Sequence, residues 1–136
     1  MDDADIQSDT IGSITPPDDT STLDLPDKTA PCNNGMAGKY PCKSYDLLAH
    51  VDLQEMGSSE GNDSWGWTDL VTNKEYVLMG LDDGTAFIDI SDPVSPIFIG
   101  KLPTATEPSV WRDIKVYNNH TFIVSEAPNH GIQVFD

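Results

Sequence analysis

The sequence predicts an all-β fold, and three observations carry that reading. From residue 75 onward, short runs rich in β-branched and aromatic residues alternate with Gly, Pro, Asn or Asp. No stretch places apolar residues at a 3.6-residue period over a useful length, so no amphipathic helix competes. The chain also repeats itself: Trp67-Thr68-Asp69, Glu75–Gly80 and Gly84–Asp89 align with Trp111-Arg112-Asp113, His120–Ser125 and Gly131–Asp136. The Trp-x-Asp anchors lie 44 residues apart and the glycine anchors 47. A period in the forties with about four strands per unit is that of a β-propeller blade, so the expected architecture is about two such blades of an incomplete propeller.

Taken from the N-terminus, residues 1–31 hold eight acids, one base and many Ser, Thr and Pro. Such a segment has too little apolar surface to offset the entropy of ordering it, so it is expected to be a disordered acidic linker, with an ion-attracting tail as the functional alternative. The propeller-like part is assigned to 32–136. Cys32 and Cys42 bracket nine residues that include Asn34-Gly35 and Ala37-Gly38. This spacing lacks the paired short intervals of a structural zinc site, and a local disulfide is the favoured reading over two unrelated thiols. A disulfide points to an oxidising compartment. The sequons Asn62-Asp63-Ser64 and Asn119-His120-Thr121 agree with export, although a three-residue pattern arises easily by chance.

Tyr45–Leu53 is mixed and reads as a strand or as a helical turn leading into one. Strands are expected over Glu75–Gly80, Thr85–Ile90, Ile97–Gly100, Asp113–Tyr117, Thr121–Ser125 and Gly131–Phe135. Asp82-Asp83-Gly84 carries the Asp-Gly signal of a tight hairpin, and Asn118-Asn119 suits a short turn that tolerates positive φ. Asp92-Pro93 stands where a sheet must stop, because proline removes a ladder donor.

Trp65–Asp69, Glu75-Tyr76, Gly84–Pro93, Trp111–Tyr117, Phe122–Glu126, His130-Gly131 and Gln133–Asp136 together resemble the choice-of-anchor B family, exported surface proteins built on propeller repeats of the LVIVD type. The Cys32–Cys42 segment and Asp46-Leu47-Leu48 match that family's N-terminal stretch, so the resemblance covers roughly 32–136. It implies extracellular or cell-surface placement and a propeller fold, and it carries no activity across. Two features depart from the family pattern: no basic n-region and apolar h-region open the chain, and it stops at Asp136 before further blades or an anchor. The 105 residues after the linker amount to little more than two blades, so the chain is expected to be a fragment or a protomer that borrows its neighbours' edges.

Charge narrows the function classes. With 23 Asp and Glu against 7 Lys and Arg, the formal charge is −16. Removing the linker leaves 15 acids and 6 bases. A surface this acidic repels phosphate backbones and anionic lipids, which disfavours nucleic acid and polybasic membrane docking. No run approaches the roughly 18–20 apolar residues of a membrane-spanning helix.

The candidate site residues are polar or aromatic groups in and beside the strands. Arg112, Glu126 and His130 are expected to meet at one face if several blades converge, where loops carry function on a rigid scaffold. Trp65 and Trp67 are expected on opposite faces, leaving one indole exposed for binding while the other packs. Asp69 and Asp113, after Trp67 and Trp111, are expected to be equivalent structural anchors that accept N–H groups. Calcium is the one ion entertained as a cofactor, with Asp63, Asp82 and Asp83 as oxygen donors, although none reproduces the spacing of a dedicated calcium loop. No nucleophile elbow, zinc-protease motif or phosphate loop is present. The leading expectation is therefore a non-enzymatic surface or matrix interaction module that binds protein or glycan. The alternatives are a calcium-dependent or hydrolytic enzyme, and an assembly subunit that pairs strand edges with its neighbours.

Overall fold

The computed structural model describes residues 29–136. Most of the expected linker therefore lies outside the described residues. Its last residues do not: Ala30 is buried and exchanges backbone hydrogen bonds with Leu47 at 2.9 and 2.8 Å, so ordered structure reaches back at least to Ala30.

The described residues are all-β, with no helix, and form three antiparallel sheets. A small hairpin of β1 (Met36–Ala37) and β2 (Tyr40–Pro41) comes first. The first large sheet is a four-stranded meander in sequence order, β3 (Gly61–Thr68), β4 (Glu75–Leu81), β5 (Gly84–Asp89) and β6 (Ile97–Pro103). The second is a three-stranded meander of β7 (Arg112–Tyr117), β8 (His120–Ser125) and β9 (Ile132–Phe135). The two meanders pack on each other along β3, β4 and β7.

Alternation along the strands explains the layering. Leu81, Ala86 and Ile88 are buried on one face of the first sheet with Val77 and Met79 around them. They pack against Val51, Leu53 and Met56, which precede β3. On the opposite face, Leu78 is buried with Ile114 and Ile123 from the second sheet, and Trp67, Phe87, Leu102 and Val116 close around them. Burying each such aliphatic side chain stabilises the fold by roughly 1.5–3 kcal/mol, so this inter-sheet cluster fastens the second meander to the first. Asp63 adds a polar pin, its Oδ2 accepting the Ile114 N–H at 2.8 Å and lying 3.6 Å from Lys115 Nζ. That backbone hydrogen bond is the main reason the Asp63 carboxyl sits below its usual range.

Several expectations change. Tyr45–Leu53 is neither strand nor helix; only Leu47 makes an isolated bridge, and a turn follows at Leu53–Gly57. The strand β3 was not expected, because Gly61, Asn62, Asp63, Ser64 and Gly66 are turn-type residues, and it forms because a register against β4 is available to its two tryptophans. The two Trp-x-Asp runs are not equivalent. Trp67 is the second-last residue of β3 and Asp69 follows the strand, whereas Trp111 precedes β7 with Asp113 inside it. In the ladders, Leu78 lies opposite Phe87 and Phe122 opposite Val134.

The turns show how local chemistry was read. Asn118 and Asn119 have φ of 49° and 60°, as the short β7–β8 hairpin demands. At the β4–β5 turn, Leu81 pairs with Gly84 across Asp82 and Asp83, neither of which has positive φ. Gly84 is needed there for close approach, since a Cβ on it would lie 2.4 Å from the Leu102 carbonyl oxygen.

The sulfurs of Cys32 and Cys42 are at disulfide distance, with Cα atoms 5.9 Å apart, compatible with an oxidising location. Within the ring, Asn34 and Gly35 have φ of 52° and 83° and the Cys42 N–H donates to the Gly35 carbonyl at 2.9 Å. Loop-closure entropy assigns such a crosslink roughly 2–3 kcal/mol. Reduction is expected to loosen the β1–β2 hairpin while both large sheets persist. Amide exchange with and without reductant checks this: faster exchange is expected at Cys42 and unchanged exchange in β4 and β8.

Candidate functional site

Three features stand out on the two packed meanders: an apolar cleft between them, a buried polar cluster beside the β4–β5 turn, and an uncovered apolar face on the second sheet.

The cleft, about 510 Å³, opens between the sheets and is lined by Trp67, Tyr76, Phe87, Ile99, Val116 and Phe135 among others. Its aromatic wall is built across strand partners. Trp67 lies opposite Tyr76 in the β3–β4 ladder, and their rings stack at 5.3 Å with 24° between planes. Phe87 and Phe135 close the gap between sheets at 5.0 Å. Trp65 and Trp67 do not split between faces. Their partners are Leu78 and Tyr76, two residues apart in β4, and an i, i+2 pair in a strand returns to the same side. Trp65 is 39% exposed, and the Lys115 ammonium lies 4.4 Å from its ring centroid.

Of the three residues expected to converge, Arg112 and His130 are buried and Glu126 is exposed. Arg112 is only 2% exposed at the start of β7, and its Nε donates to the Leu81 carbonyl at 3.0 Å. His130 is buried in the loop after β8, where its Nδ1 lies 2.8 Å from the Thr106 hydroxyl. Burial, and then the neighbouring Arg112 charge, hold the His130 pKa below its ordinary 6.5. Glu126 is exposed; its backbone N–H donates to the Trp111 carbonyl at 3.1 Å. Thr106, which orients His130, was not singled out from sequence because nothing local signals a partner 24 residues away.

A lowered histidine pKa has a definite sign. Between the depressed native value and 6.5 the unfolded chain binds a proton that the native protein refuses, so His130 lowers stability as pH falls below about 6.5 and has no such effect above it. The lowered carboxyls of Asp63, Asp69, Asp82 and Asp89 act below their ordinary 3.8, in a separate window. Melting temperatures of wild type and His130→Gln between about pH 5 and pH 8 are expected to show a fall toward acid in wild type and a flatter profile in the variant.

The carboxylates considered for calcium are already engaged. Ser58 Oγ donates to Asp82 and to Asp83, Ser59 Oγ donates to Asp82, and Lys101 Nζ reaches Asp83 Oδ2 at 2.6 Å. These contacts tie the β4–β5 turn to residues 57–60, where Lys101 also donates to the Gly57 carbonyl at 2.7 Å. Asp63 is committed to β7. Among the described residues, no three His, Cys, Asp or Glu side chains gather into a group that could hold a metal. Asp69 caps its own turn, accepting the Val71 N–H and the Thr72 hydroxyl, and the latter is the main cause of its lowered pKa. Asp113 is exposed on β7, so the two aspartates play different parts.

The third feature is the side of the second sheet turned away from the first. Ile114, Val116 and Ile123 face inward, so Tyr117, Phe122, Val124, Ile132 and Val134 face outward. Tyr117 is 76% exposed, Ile132 64% and Val134 57%. Among the described residues no helix is long and apolar enough to cross a membrane.

No family model, curated protein or solved structure that was compared matches this chain.

Proposed function

We propose that the chain is an exported, non-enzymatic interaction module of the cell surface or extracellular matrix, built on propeller-type blades like those of the choice-of-anchor B family. The observation that carries this reading is the exposed apolar group Tyr117, Val124, Ile132 and Val134 on the outward side of the second sheet, shared there with Asp113, Lys115 and His120, because proteins seldom leave such a group uncovered without a use for it. Strand register supports the blade assignment. With the Gly84/Gly131 repeat as anchor, an offset of 47 residues matches Phe87 with Val134, and the ladders then match their partners Leu78 and Phe122 at an offset of 44. The side of the first sheet that the second sheet covers is thus the side that the second sheet leaves open. The same geometry repeated once more seats another sheet, a protein surface or a glycan on Tyr117, Val124, Ile132 and Val134. A cysteine pair at disulfide distance suits the extracellular placement.

The enzyme alternative has less to draw on, since Glu126 is exposed while His130 is buried, and the sequence carries no nucleophile motif. The test is binding of the labelled chain to immobilised extracellular proteins and glycans, compared with an Ile132→Glu/Val134→Lys variant. The variant is expected to keep its fold and lose binding. Binding that ignores the variant, or turnover in a hydrolase screen that is lost on Glu126→Ala or His130→Ala, contradicts the proposal.

A further inference from the structure

The polar cluster beside the β4–β5 turn holds an unusual set of unmet groups. Both Nη atoms of Arg112, Nε2 of His130 and the hydroxyls of Thr85 and Thr104 are closed to solvent and have no hydrogen-bond partner. Three of these residues adjoin the β4–β5 turn: Arg112 Nε donates to the Leu81 carbonyl, Thr85 follows Gly84, and Thr104 is bonded through its backbone to Asp83. Arg112 lies over Gly80, where a Cβ would come within 3.7 Å of the arginine Cβ, and Gly80 pairs with Thr85. The Thr104 N–H donates to the carbonyl of Asp83, in the turn that follows Gly80 and Leu81. His130 reaches the same region through its contact with Thr106 and senses the Arg112 charge.

Arginine stays charged at any pH the fold survives, and a buried guanidinium without an acceptor is strongly disfavoured. The nearest acids do not meet the need. Asp82 and Asp83 attract Arg112 from a distance, but no carboxylate among the described residues lies within ion-pair reach of it, and their oxygens serve Ser58, Ser59 and Lys101. Neighbours that can donate, around a fixed cation, call for an acceptor with several oxygens.

We propose that Arg112, His130, Thr85 and Thr104 form an enclosed binding site for a small oxyanion or carboxylate, held by the two Nη groups of Arg112. The Arg112 fork matches the two oxygens of such a group, and the threonine hydroxyls donate from the flanks. The unmet atoms are closed to solvent, so entry requires movement, which the proposal assigns to the loop at 126–131 because that loop carries His130. That loop is fastened at its ends by the Glu126 N–H to the Trp111 carbonyl and by His130 to Thr106, and it carries Asn129 and Gly131 at φ of 60° and 66°. The site does not depend on the interaction reading, since it faces the interior rather than the outward side of the second sheet.

The test is a titration of the full chain with sodium sulfate, phosphate and acetate at constant ionic strength, read by melting temperature and by calorimetry. A saturable rise of several degrees with at least one of the three anions is expected. Arg112→Met should abolish it. Thr104→Val and Thr85→Val keep the charge and guard against a variant that does not fold; each should weaken the titration midpoint several-fold, while Asp113→Asn leaves it unchanged. Response to sulfate or phosphate identifies a free oxyanion, and response to acetate alone identifies a carboxylate such as a partner's acidic side chain. A rise that never saturates and is equal in all variants is general salt exclusion, and with no response at all the cluster is served by buried water only. Either result overturns the proposal.

Discussion

Replacing Ile114 with alanine is expected to lower the stability of the two-sheet unit by about 3–4 kcal/mol, with Ile114→Val costing about 1 kcal/mol. The side chain is fully buried between the meanders and packs with Leu78 and Ile123. Its terminal methyl fills the space over Gly80, 3.5 Å from where a Cβ there would sit. Truncation leaves a void bounded by two sheets, each held in register by its own ladder, so neither can collapse freely into it. A domain of ordinary stability has only about 5–15 kcal/mol in hand, so a loss of this size moves the urea midpoint well clear of experimental error. The exposed Ile99→Ala serves as the contrast, expected within about 0.5 kcal/mol of wild type. Urea denaturation followed by tryptophan fluorescence and circular dichroism measures all three. A shift for Ile114→Ala no larger than for Ile99→Ala would mean that the sheets are not packed through this cluster.

The second large effect is expected from Gly84→Ala. The new methyl would lie 2.4 Å from the Leu102 carbonyl oxygen and 3.1 Å from Lys101 Cγ. The first contact is with backbone, so a rotamer change cannot relieve it, and β6 must move away from β5. Overpacking of this kind costs about 1–3 kcal/mol, and Gly84→Val should exceed Gly84→Ala. The damage is expected to be directional. Amide exchange should quicken in Ile97–Pro103 before it does in β7 or β8, because β6 meets the rest of its sheet only through β5. Protection of β6 at wild-type levels in Gly84→Ala would contradict the close approach.

These two positions show how differently parts of the fold could be read from sequence. The strands from Glu75 onward were legible because their apolar residues are dense and punctuated by Gly, Pro and Asn, and the structure moves their ends by a few residues at most. Gly84 was legible as the end of a tight hairpin, and Leu81 does pair with Gly84 across Asp82 and Asp83. The close strand contact that the residue also serves is revealed only by the register. Strand β3 was illegible because edge pairing asks little of its side chains, and its turn-type residues satisfy the ladder as well as any others.

At the candidate site, Arg112 and His130 were within reach of sequence reasoning as polar groups next to strands, and Glu126 was not separable from them by type. Of the three, Glu126 alone is exposed, a difference that residue type does not carry. Nor could sequence show that serine hydroxyls and a lysine from distant segments, including Ser58 and Lys101, bond the oxygens of Asp82 and Asp83. The Trp-x-Asp repeat misled because the two similar tripeptides sit differently against their strands, one running out of β3 and the other running into β7.

The most direct test of the account is the solvent exposure of methyl groups on the full chain, read by NMR with a soluble paramagnetic agent. The account predicts that Val124, Ile132 and Val134 methyls broaden strongly, while Leu78, Ile114 and Ile123 stay sharp and show mutual contacts across the two sheets. Protection of Ile132 and Val134 equal to that of Ile114, or absence of any Leu78–Ile114 contact, would contradict it.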